Sequence, residues 1–97
     1  MNMINLQKLE TRTFLKNGNF KETHHTSNIS LNADSIVSVR PVPSDIRELN
    51  GEPFVQSLTE VTYSSADTTS TILVVGEYSQ IVKNIEHSGD KRVLLNG

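Results

Sequence analysis

The chain has no cysteine, no tryptophan, only three prolines and five glycines, and no long apolar run. Without cysteine there is no disulfide framework, no thiolate nucleophile and no thiolate metal site. Nothing approaches the roughly 20 consecutive apolar residues of a membrane-spanning helix, so membrane insertion is not expected. The first residues, Met1 to Lys8, lack the apolar stretch of a secretory signal, which makes a cytoplasmic location the expectation. Charge of one sign is also missing. Nine Lys and Arg face eleven Asp and Glu, a net charge of -2, whereas a protein that wraps nucleic acid by bulk charge needs a basic surface. Lys8, Arg12, Lys16 and Lys21 form a mildly basic stretch, but Glu10 and Glu22 interrupt it. Nucleic acid is therefore not an expected partner. The 97 residues suit one domain, and a chain of this size hides only about 60 to 65% of its unfolded surface. Self-association would supply the core that so short a chain lacks.

What the sequence does have is β-branched residues. Val, Ile and Thr make up about a quarter of it, and their stiff side chains suit a pleated surface better than a helix. Met3 to Leu9 reads as a first strand, and Asn17-Gly18 reads as a tight hairpin turn within residues 11 to 25, with Phe14 and Phe20 facing each other across it. Ile29-Ser30-Leu31 and Val37-Ser38-Val39 alternate on either side of Asn32-Ala33-Asp34, where the Asn32 and Asp34 oxygens can bond nearby amides and bend the chain. Pro41 and Pro43 end that ladder or confine it to a sheet edge. Ser44 or Asp45 starts one helical turn that Asn50-Gly51 ends.

Residues 58 to 75 read as a hairpin turning at Ser64 to Asp67, with Thr59, Val61 and Tyr63 on one face and the apolar end of the return strand buried on both faces. Past Gly76 the period changes. Tyr78, Ile81, Val82 and Ile85 fall at i, i+3, i+4 and i+7, one face of a short helix over about 77–86 that can cover the sheet. Residues 92 to 95 suit a last edge strand. The expected fold is β-rich and mainly antiparallel, of the α+β class: a small meander or barrel-like sheet with one short C-terminal helix. It forms one domain over residues 1–97, with polar insertions at about 11–27 and 41–57.

Met3-Ile4-Asn5-Leu6, the segment Leu31-Asn32-Ala33-Asp34-Ser35-Ile36-Val37-Ser38-Val39, and Thr69 to Val75 followed by Glu77 and the amphipathic stretch to Ile85 together resemble the small flagellar FlbD (swarming-motility SwrD) family and its phage-borne relatives. The middle segment carries the likeness best. It covers about half the chain, and Gly76-Glu77-Tyr78 stands where the family has Lys/Arg-Glu-Ser. The resemblance implies a small cytoplasmic adaptor or regulator with no catalytic residues to carry over.

The residues themselves point to no enzyme. The acidic side chains are spread singly, no serine lies in a nucleophile elbow, and no glycine-rich loop opens a helix. No cofactor is implied. Thr23-His24-His25-Thr26 and His87 invite a metal, but adjacent histidines on a strand point to opposite faces and chelate poorly, so no metal site is expected. Arg40 and Arg47, near Ser, Thr and Asn donors, are the candidate grip for a small anionic ligand. Asn17, Gly18, Asn32 and Asp34 are structural turn residues. Two functions follow. The first is a non-enzymatic interaction or regulatory module that pairs through strand edges with itself and with another protein, such as a host protein met by a phage-encoded factor. The second is an accessory protein that binds or sequesters a nucleotide-like ligand.

Overall fold

The structure is a computed structural model that describes residues 2–44, 46–88 and the backbone of 94–95. Among the described residues there are eight strands: β1 (Met3–Lys16), β2 (Asn19–Asn32), β3 (Ile36–Val42), β4 (Glu48–Leu49), β5 (Glu52–Pro53), β6 (Leu58–Ser65), β7 (Thr68–Val75) and β8 (Leu94–Leu95). A 3-10 turn, Ala33–Ser35, precedes β3, and the helix α1 (Tyr78–Ser88) follows β7. Six strands share one sheet in the order β2-β1-β7-β6-β3-β8, antiparallel except where β8 joins β3 in parallel, while β4 and β5 make a separate two-stranded piece.

That strand order requires the sheet to coil. In a flat sheet β2 and β3 would lie four strand spacings apart, about 19 Å. Only the three residues Ala33–Ser35 link them, and the chain from Asn32 to Ile36 reaches at most about 14 Å. The sheet therefore curls back on itself into an open, barrel-like shell. Asn32 makes the turn possible: its side-chain oxygen accepts the Asp34 amide at 2.9 Å, and Asn2 donates to the Asp34 carboxylate at 3.2 Å. The Ala33 amide donates to the Asn2 carbonyl at 2.7 Å, which ties the turn to the start of β1.

The shell encloses Ile4, Leu6, Leu31, Ile36, Val39, Val61, Ile72 and Val74, closed by Ile81, Val82 and Ile85 of α1 with Tyr78 packed at the margin. The i, i+3, i+4, i+7 spacing thus places the helix as its sequence predicts, over Tyr78–Ser88 rather than 77–86. Gly76 opens the way into it with φ +142°, a conformation L side chains rarely adopt, and a Cβ there would sit 3.0 Å from Ile81 Cδ1. Thr59, fully buried, donates its hydroxyl to the Gly76 carbonyl at 2.9 Å, which satisfies the core's one buried polar side chain among the described residues.

Four sequence expectations change. Residues 43 to 56 hold no helical turn among the described residues, and Asp45 lies outside them. Asn50 and Gly51, at φ +54° and +81°, instead form a type I′ turn joining β4 to β5. Phe14 and Phe20 do not face each other: Phe20 pairs with Leu15 and Phe14 with Lys21, which puts the two rings on opposite faces. The end of β7 is buried on one face, with Ile72 and Val74 inside and Leu73 and Val75 half-buried outside. Finally, β1 does not stop near Leu9 but runs unbroken into the Asn17-Gly18 turn. Arg92 and Val93 of the expected last strand lie outside the described residues, while Leu94–Leu95 pairs with Ser38 and Val39.

Candidate interaction surface

β1 and β2 are paired over their whole length, from Met3 opposite Asn32 to Lys16 opposite Asn19. The two residues of the turn, Asn17 and Gly18, both have positive φ, +53° and +79°, the type I′ geometry that fixes this register. The paired strands have two different halves. At the root, Ile4, Leu6, Ile29 and Leu31 point into the core. Beyond Lys8 that same face carries Glu10, Arg12, Phe14 and Lys16 from β1 and Ser27, His25, Thr23 and Lys21 from β2. A face so charged cannot be packed under a sheet or helix. β1 accordingly pairs with β7 at Lys8 opposite Val74 and at no residue further out. The outer half is a two-stranded arm, and the molecule measures 51 × 29 × 21 Å along its principal axes.

The arm has two unlike faces. One gathers Lys8, Arg12, Lys16 and Lys21 around Phe14, with Glu10 the one carboxylate among them, accepting from the Ser27 hydroxyl at 3.0 Å. The other carries Leu9, Thr11, Thr13 and Leu15 opposite Thr26, His24, Glu22 and Phe20. At its tip Leu15 and Phe20 pair directly and are 63% and 78% exposed. Apolar side chains of that size, side by side and wet, stand to gain several kcal/mol on burial, about 1.5–3 kcal/mol each.

The outer edge of β2 has no strand beside it among the described residues. Alternate residues direct their backbone groups toward that edge, and one stretch of it is covered. The Asn50 amide donates to the His24 carbonyl at 2.9 Å, its side-chain oxygen accepts the Thr26 amide at 3.2 Å, and its side-chain nitrogen donates to the Thr26 hydroxyl at 3.1 Å. The β4–β5 piece thus clips onto the arm's base, leaving a cleft of about 160 Å³ lined by Glu22, Thr23, His24, His25, Glu48 and Gly51. Asn50, expected from the sequence to end a helical turn, serves instead as this clip. The signal is present, since Asn50-Gly51 repeats the dipeptide Asn17-Gly18 and makes the same turn.

The remaining candidate residues do not converge. Arg40 lies on β3 opposite Glu60 of β6 and donates to it through Nε at 2.6 Å and Nη2 at 3.2 Å. The Glu60 carboxylate holds the guanidinium protonated above its ordinary range. Arg47 contributes its carbonyl to the β4–β5 piece, accepting the Phe54 amide at 2.8 Å. Neither arginine lines the cleft above or the shallow one formed by Met3, Ile4, Asn5, Asn84, His87 and Ser88. His24 and His25 point to opposite faces, bonded to the hydroxyls of Thr11 and Thr23, each at 3.0 Å. Among the described residues no group of three His, Asp or Glu side chains comes together. No helix among them is long and apolar enough to cross a membrane. No family model, curated protein or solved structure matches the chain significantly.

Proposed function

We propose that the chain is a small non-enzymatic interaction module, self-associating and engaging a second protein, in which the coiled body is the platform and the β1–β2 arm is the working part. The exposed Leu15–Phe20 pair at the arm's tip carries this reading. An isolated two-stranded hairpin is marginally stable in water, so an arm that projects with its largest apolar side chains uncovered gains most when a partner covers it. The open edge of β2 adds free backbone donors and acceptors that accept a further strand. Residues Ser27 to Asn32 carry no charge and no proline to discourage that pairing, whereas at the other end of the sheet β3 contains Pro41 and is joined by β8. The sequence resemblance to FlbD-like adaptors implies the same class of function.

Sedimentation velocity over a range of concentrations tests the self-association. Wild-type protein is expected to form a dimer or larger species at micromolar concentration, and Leu15→Ser with Phe20→Ser to remain monomeric with an unchanged circular dichroism spectrum. A wild-type protein that is monomeric throughout, or a double variant that associates equally well, contradicts the proposal.

A further inference from the structure

The charge that the whole-chain sum conceals is concentrated on one face of the arm. Lys8, Arg12 and Lys16 are spaced every four residues on β1, so all three point the same way. The register then adds Lys21 from β2, opposite Phe14. Four of the chain's nine basic residues share this face with a single carboxylate, Glu10, while five basic and ten acidic residues are distributed over the rest. The molecule therefore has a cationic arm on an acidic body.

Phe14 sits within this array. Arg12 and Lys16 flank it on its own strand, Lys21 lies across from it, and its side chain is 43% exposed. Such an arrangement matches the chemistry of single-stranded nucleic acid: an aromatic ring on which a base stacks, set among cations that neutralise the neighbouring phosphates. A run of Asp and Glu alone would use the cations but offers nothing to stack on the ring, whereas every base of a single strand does. The face from residue 8 to residue 16 is about 27 Å long, enough for several nucleotides. It also lies on the opposite side of the arm from the Leu15–Phe20 pair, so the two surfaces do not compete for the same side chains.

We infer that the Lys8, Arg12, Lys16 and Lys21 face of the arm binds single-stranded nucleic acid, with the cations on its phosphates and a base on Phe14. The site is local. It needs no basic protein overall, because the arm carries it away from the acidic body.

Fluorescence anisotropy with a labelled 15-nucleotide oligothymidylate tests this on the full chain. Binding is expected at low salt, with the logarithm of the association constant falling against log salt at a slope of about -3 for four neutralised phosphates. Lys21→Glu is expected to weaken binding about tenfold, and Phe14→Ala about fivefold or more through the lost stacking. Lys83→Glu, the same change of charge on α1, is expected to leave it within a factor of two, and thermal midpoints confirm that each variant is folded. Absence of binding at low salt overturns the inference. So does equal loss from Lys83→Glu and Lys21→Glu, or binding that Phe14→Ala leaves intact. Equal affinity for polyglutamate or for anionic lipid vesicles overturns it in favour of an unselective polyanion surface.

Discussion

The root and the arm of the β1–β2 hairpin are built from the same two strands, in one register and without a bulge, yet they do opposite things. At the root the inward face is Ile4, Leu6, Ile29 and Leu31, and it holds the shell closed. From Lys8 outward the same face is charged and the strands leave the sheet. Pairing alone therefore decides that a hairpin forms, and the side-chain alternation on one face decides how much of it becomes body. The lesson applies to the Asn50 clip as well. It attaches at His24 and Thr26, near the place where the hairpin leaves the shell, and supports the arm's base where the core no longer does.

The contrast is broken most severely from the body side. Ile85 is fully buried between helix and sheet, so Ile85→Ala is expected to cost about 2–5 kcal/mol in chemical denaturation. Gly76→Ala comes next, at about 1–3 kcal/mol, because it forces a side chain into a positive φ and against Ile81. In the opposite direction, Ala66 holds φ +55° in the β6–β7 turn, so Ala66→Gly is expected to raise stability by about 0.5–1 kcal/mol. A thermal melt that shows destabilisation there would mean the turn's conformation is not the strained one. The smallest effects belong to exposed positions. Arg40→Ala, which breaks an exposed ion pair, is expected to leave the denaturation midpoint unchanged, and Phe20→Ser to abolish association and with it the concentration dependence of the midpoint, while leaving the midpoint of the dilute monomer unchanged.

Much of the body was legible in the sequence. The 58 to 75 hairpin, the Asn32 bend and the helix face at Tyr78, Ile81, Val82 and Ile85 all rest on local periodicity or side-chain chemistry, and those signals survive folding. The arm was half legible. Asn17-Gly18 announces its turn and a hairpin over 11 to 25, but the few apolar residues there, Phe14, Leu15 and Phe20, do not alternate in a way that joins it to the strands at Met3 to Leu9 and Ile29 to Leu31. Without the register, the interspersed charges read as a mixed surface. Only the register, in which each pair of residues is fixed by the turn, sorts Lys21 onto the face of Lys8, Arg12 and Lys16 and sends Glu22 to the other. Arg40 illustrates the same limit. Its partner Glu60 lies 20 residues away and becomes visible only once β3 and β6 are aligned.

The most direct test of the division between body and arm removes the arm. Residues 11 to 24 are replaced by Asn-Gly, so that Glu10 and His25 flank a type I′ turn as Lys16 and Asn19 do in the native chain. Thermal denaturation and sedimentation are then measured together. The account predicts a folded, cooperative, monomeric body with a midpoint within a few degrees of wild type. An unfolded product, or a folded one that associates as the full chain does, would contradict it.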